Sequence, residues 1–388
     1  MTSLNIAFFG SSLVSAYWNG AATYYRGIIR GLAEHGHRVT FYEPDAYDRQ
    51  KNRDMDDPEW AKVVVYAPEE AALWRALESA RDADLLIKTS GIGIFDELLD
   101  SAVLSVKAQH TIATFWDVDA PATLDRVNAN PSDSFRELIP KYDLILTYGG
   151  GPRVIEAYRK LGARSCLPIY NALDPSTHFR VPADPRFAAD LTLLANRLPD
   201  REARIEEFFL RAAESAGAFQ FLLGGNGWGT KRLPANVKAI GHVFTRDHNV
   251  LNCSARAVLN VNRESMASYG FSPPTRIFEA AGAGACVITD AWEGIEMFLD
   301  PGREVLLANS GAEVANILRG LDPLAARQIG LAACERMLSE HTYRHRVNQL
   351  EQELDFRSKP EFTQRAHTHA AYACESHSSS GAASERIA

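Results

Sequence analysis

The sequence has no C-x-x-C pair, no long run of Lys and Arg, and no apolar stretch near the roughly 20 residues a membrane helix needs. Each absence excludes a class. Its five cysteines, Cys166, Cys253, Cys286, Cys334 and Cys374, are scattered and odd in number, which argues against a disulfide or zinc framework and for reduced thiols in the cytoplasm. With a net charge of −8 and no basic run, a general nucleic-acid binder is not expected, so any anionic ligand must be held by a local site. MTSLNIAFFG lacks a basic flank and a long apolar core, so no signal peptide is expected. No G-K-[ST] follows the glycine-containing stretch 10–27, no G-x-G-x-x-G stands there, and no G-x-S-x-G occurs. His110, His178, His242 and His248 show no ligand spacing, and no metal site is expected.

What is there is a regular alternation. At 388 residues the chain is too long for one ordinary domain and right for two. LNIAFFG (4–10) reads as a strand. Ala21, Tyr25, Ile28 and Leu32 then fall at helical spacing up to Gly36, and RVTFYE (38–43) reads as the next strand. DLLIK (84–88), HTIATFW (110–116) and DLILTY (143–148) follow as buried strands. After the proline-rich segment 171–186 the rhythm restarts with DLTLLAN, FQFLLGG, NVKAIG, RAVLNVN, ACVITD and REVLLA. Helices are expected at about 201–215, 273–283, 311–338 and 340–355. The pattern predicts an α/β chain of two doubly wound Rossmann-like domains facing a cleft, 1–172 and 187–340. A C-terminal helix (341–356) follows the second sheet, and a disordered tail (357–388) carries His367, His369 and His377.

In open α/β sheets ligands sit at the carboxyl ends of the strands. The segment GFSPPTRIFEAAGAGACVITD (270–290) is the most informative loop-to-helix passage. Ser272 reads as an N-cap and Pro273 as the first helical residue. The N–H groups of Thr275 and Arg276 then face an anion at the positive end of the helix, and the Arg276 guanidinium adds a bidentate charge. Glu279 lies one turn deeper, placed to accept from two vicinal ribose hydroxyls. A nucleoside diphosphate accounts for both charges; an ordinary i,i+3 surface pair is the bland alternative. Asp117-Val118-Asp119 follows a strand, but in the other half of the chain. It reads as acceptor-side carboxylate, one of the two acting as general base, or as an N-cap of the next helix, and not as a metal pair.

These residues resemble a known family. GFSPPTRIFEAAGAGACVITDAWEGIEMFLDPGREVLLA, DLTLLANRLPDREARIEEFF and LLGGNGWG are similar to the donor-binding half of GT-B glycosyltransferases, and more specifically to the CgeB-like (spore maturation protein-like) branch. The resemblance implies that residues 1–172 face the acceptor and 187–340 bind the nucleotide sugar. Glu279 matches the second glutamate of the family's Glu-x7-Glu pattern; Phe271 stands where the first would be. It further implies that Asn196, Arg197 and Arg201 face the leaving diphosphate, that His242 and Val243 read the base, and that backbone groups at Gly270 and Phe271 reach the sugar or phosphates. Gly20 would close over the diphosphate from the opposite side, with Tyr17 and Trp18 near the acceptor and Arg263 pointing to the cleft. The function expected is metal-independent transfer of a sugar from a nucleoside diphosphate sugar, most often UDP-linked, to a hydroxyl of a glycan, small molecule or protein. No cofactor is needed beyond that co-substrate. A nucleotide-sugar 2-epimerase of the same fold and a non-catalytic nucleotide-sugar-binding protein are the alternatives.

Overall fold

The computed structural model describes residues 3–357. The expected tail lies outside them, except Arg357, which ends a helix. Seven parallel strands form the first sheet: β1 (Asn5–Phe9), β2 (Arg38–Pro44), β3 (Lys62–Tyr66), β4 (Leu85–Thr89), β5 (Ile112–Asp117), β6 (Leu144–Thr147) and β7 (Cys166–Pro168). Their order is β3-β2-β1-β4-β5-β6-β7. Six more form the second sheet: β8 (Ala189–Leu194), β9 (Phe221–Gly224), β10 (Val237–Gly241), β11 (Ala255–Asn260), β12 (Val287–Asp290) and β13 (Leu306–Ala308), ordered β10-β9-β8-β11-β12-β13. Both sheets reverse direction of growth beside their first strand, at β1/β4 and β8/β11. That is where a crevice opens at the carboxyl ends.

The central strands are apolar on both faces because helices cover both; Leu85, Leu86 and Ile87 in β4 and Val287 and Ile288 in β12 are all buried. β3 and β7 were not expected. β3 is a half-exposed edge strand and β7 spans three residues, so neither carries a buried apolar run.

Two helix expectations change. The helix of the 270–290 passage begins at Thr275, after Pro274, and ends at Gly282. Ser272 does not cap it; its hydroxyl donates to the Gly270 carbonyl at 2.9 Å. The 311–338 helix is two, Gly311–Gly320 and Pro323–Glu340, broken at Asp322, whose carboxylate caps Leu324 and Ala325.

The last helix, Tyr343–Arg357, follows the second sheet in sequence but packs on the first. It lies against the helix Ala22–Glu34, where Gly27 and Gly31 leave a groove. A Cβ at Gly27 would come within 2.2 Å of the Tyr343 ring, and one at Gly31 within 2.9 Å of Val347. Tyr343, Val347, Leu350 and Leu354 are buried there, each contributing roughly 1.5–3 kcal/mol at most. Leu173 bridges Thr342, and the buried Arg346 guanidinium donates to the Asn171 carbonyl at 3.2 Å. No helix among the described residues is long and apolar enough to cross a membrane.

Candidate active site

A cavity of about 560 Å³ lies between the carboxyl ends of the two sheets. The first sheet contributes the loops after β1, β5 and β6. The second contributes the ends of β8 and β11 and the start of the Thr275–Gly282 helix.

The second-sheet wall is strongly cationic. Thr275, Arg276, Arg201 and Arg263 line it, with Glu279 behind them. Thr275 and Arg276 occupy the first helical turn, whose N–H groups have no acceptor one turn back. Tyr148, from the opposite sheet, meets the Thr275 hydroxyl at 3.3 Å. Glu279 is nearly buried, with Arg276 Nη1 at 3.5 Å from one oxygen and His178 Nε2 at 3.7 Å from the other. Burial alone would raise its pKa, but Arg276 above all holds it below the ordinary carboxylate value. Glu279 is therefore ionised at neutral pH. His248 is pushed down to about 4, first by burial and then by Arg276, so its ring is neutral. Arg201 forms no ion pair among the described residues, and its buried Nε has no hydrogen-bond partner. Burial and the neighbouring Arg263 lower its pKa. An unpaired, desolvated guanidinium in a cavity wall favours an incoming anion. Arg263 is partly engaged by Asp200 at 3.3 Å.

The fold also does what the spacing of the histidines does not suggest. His178, from the chain between the sheets, His248 and Glu279 each bring one ligand-type atom within 4.8 Å of the others. These are the residues among those described that could hold a metal. The Arg276 cation on the same carboxylate works against a divalent ion there.

On the first-sheet wall, Gly20 lines the cavity with open space around its Cα, and Asp119 faces the same cavity. Asp119 also caps the helix Ala120–Ala129, accepting from the Ala122 N–H at 3.4 Å. Burial raises its pKa, with a further rise from Asp117. Asp117 does not reach the cavity. It is fully buried, one oxygen accepting from Ser90, Thr123 and the Asp119 N–H and the other from Tyr158 at 2.5 Å. Its carboxylate fixes the β5 loop and cannot meet an acceptor hydroxyl.

Seven other expected contacts lie outside the cavity, the exposed Tyr17 among them. Asn196 accepts from the Asn226 N–H at 2.9 Å, and Arg197 pairs with Glu202 at 2.7 Å and donates to Thr230. His242 is exposed, edge-on to the Phe244 ring at 4.7 Å. Val243 packs into a small core with Phe187, Leu222 and Leu251. The Gly270 N–H is spent on the Met266 carbonyl at 3.1 Å and that of Phe271 on the Glu293 carbonyl at 2.6 Å, so neither is free for a sugar. Conversely, Arg49, Tyr25, Tyr148 and His248 line the cavity without having been expected there. Arg49 sits in a charged stretch and the others in ordinary element patterns, so only the fold could have found them.

Residues 201–352 match the family described as Glycosyl transferase-like. No curated protein matches the chain. Among solved structures, Anabaena HepE in complex with UDP and glucose is similar, with a TM-score of 0.63 at 12% identity over 91% of this chain and 99% of that one. The chain has the GT-B fold. Sucrose-phosphate synthase from Thermosynechococcus elongatus is similar over 91% of this chain and 98% of that one, with a TM-score of 0.62 at 15% identity. So is an E. coli trehalose-6-phosphate protein bound with UDP-2-fluoro glucose, at 0.62 and 10% over 90% and 98% of the two chains.

Proposed function

We propose that this GT-B chain is a metal-independent glycosyltransferase of the CgeB-like kind, acting in the cytoplasm on a nucleoside diphosphate sugar, UDP-linked, and a hydroxyl acceptor. One observation carries the reading. At the switch point of the second sheet, an ionised carboxylate stands one turn behind a helix start flanked by arginines, one of them without an ionic partner. Glu279 accepts from the ribose hydroxyls, while Arg276, Arg201 and the first-turn N–H groups take the diphosphate. The acceptor oxygen bonds to the anomeric carbon, the bond to the β-phosphate oxygen breaks, and Asp119 receives the acceptor proton. Charge growing on the leaving diphosphate meets cations already aimed at it, which is where most of the rate gain arises. The UDP, UDP-glucose and UDP-2-fluoro glucose in the complexes of similar fold support the choice of nucleotide. The comparisons lend no support to the epimerase.

The test is a thermal-shift screen of the full chain with UDP, GDP, dTDP, ADP and CMP, each with and without EDTA. A ligand that binds only the folded state raises its stability by mass action. A shift with UDP that survives EDTA is expected. No shift with any diphosphate would sink the reading, and a shift lost in EDTA would remove its metal-independent part.

A further inference from the structure

The first-sheet side of the cavity holds a guanidinium that the protein satisfies only in part. Arg49 is only 6% exposed yet lines the cavity. Its Nη1 donates to the carbonyls of Ser11 and Ile92, both at 3.1 Å, while its Nε is buried without a partner. It forms no ion pair among the described residues. The carboxylates nearby are taken: Glu43 by Ser12, Gln50 and the Leu13 N–H, and Asp96 by Lys88 and the N–H groups of Ile92 and Gly93. Tyr25 also lines the cavity, with its buried hydroxyl beside Thr89 and Ser11. Buried polar atoms without partners are rare, and a buried cation without a counter-charge is destabilising. A buried guanidinium in a cavity wall, with no carboxylate partner and an unpartnered Nε, indicates that a ligand completes it. At the rim of the same cavity stands Trp18, 78% exposed and held at φ 48°, a backbone conformation strained outside glycine. An aromatic face kept in water at that cost fits a platform for a sugar ring.

We propose that this half of the cavity is an acceptor subsite for a small polyhydroxy compound bearing an anionic group, a phosphate monoester or a carboxylate. Arg49 and Tyr25 hold the anion, Trp18 covers the ring, and a hydroxyl is presented toward Asp119. A neutral glycan would leave Arg49 unpaired. The inference rests on the glycosyltransferase reading for the word acceptor, but the anion site itself is independently measurable.

The experiment is calorimetric titration of the UDP-treated full chain with glucose 6-phosphate, glucuronate and glucose. At least one charged sugar should bind ten or more times more tightly than glucose, and whichever binds better names the anion. Arg49→Leu should abolish that preference and leave UDP affinity within about twofold. Arg49 also ties two loops together, so Tyr25→Phe is the second variant. It should weaken the charged sugar at least threefold with the melting temperature little changed. If glucose binds as well as both charged sugars, or the preference survives in folded Arg49→Leu, the subsite is refuted. If UDP fails to bind while the charged sugar binds wild type and not Arg49→Leu, the subsite stands and the donor reading falls.

Discussion

Replacing Glu279 by Ala separates ribose recognition from phosphate recognition. The carboxylate is ionised, because Arg276 at 3.5 Å and His178 at 3.7 Å outweigh the burial that opposes charge. A hydrogen bond to a charged group is worth about 1.5–3 kcal/mol, so losing the ribose contacts should weaken UDP by roughly 10- to 150-fold. The same change frees Arg276 from its carboxylate, leaving the phosphate seat at least as cationic. Inorganic pyrophosphate should therefore bind the variant as well as, or better than, wild type. Calorimetry with both ligands on the same preparation, with a melting curve to confirm folding, gives the answer. Glu279→Gln should fall between wild type and Ala, since one amide oxygen still accepts. Unchanged UDP affinity in folded Glu279→Ala would remove the residue from the site. A parallel loss of pyrophosphate would mean that it acts through the phosphates and that the ribose assignment is wrong.

Three further outcomes are expected. Asp119→Asn keeps a good N-cap for its helix but loses the base, so turnover should drop about 10²–10⁴-fold with UDP affinity and melting temperature nearly unchanged; equal turnover would clear Asp119 of proton transfer. Arg201→Met removes a desolvated cation without an ionic partner, so the variant should melt higher while UDP stabilises it less; lower melting would show that the arginine is structural. His248 and His341 are held down to about 4 and about 3, chiefly by burial. Below their ordinary value the unfolded chain takes up protons that the folded one refuses, so stability should fall as pH drops from about 6.5 toward 4, with roughly 3 kcal/mol from His248 alone. Chemical denaturation across that range should show a shallower slope for His248→Gln, and an identical slope would refute the assignment.

The second sheet was legible strand by strand, because each of β8 to β13 carries an apolar run ended by a polar or glycine turn. The edge strands β3 and β7 were not, since an edge needs no buried run. At the cavity, the i,i+4 relation of Thr275 and Glu279 could be read from spacing, because a helix converts spacing directly into a shared face. Asn196, Arg197 and Arg201 were all expected to face the leaving diphosphate. Which guanidinium turns to the cavity was decided by Glu202, which captures Arg197 and leaves Arg201 unpaired. Asp117 and Asp119 differ because the first still belongs to β5, with its side chain buried, while the second lies past the strand end at the helix cap. His178, His248 and Glu279 come together from three separate segments, and no local pattern encodes such a meeting.

The return of the last helix to the first sheet means that the second sheet is tethered at two points, near Leu173 and near Thr342, which are themselves paired. A body hung on two adjacent pins swings about the line through them and resists twisting across it. Any relative movement of the Arg276 and Asp119 walls is thereby steered toward rotation about that line. With the chain cut ahead of Thr342 the second sheet would hang on one tether, and the alignment of the two walls would rest on contacts such as Tyr148 with Thr275, every residue of both walls still present.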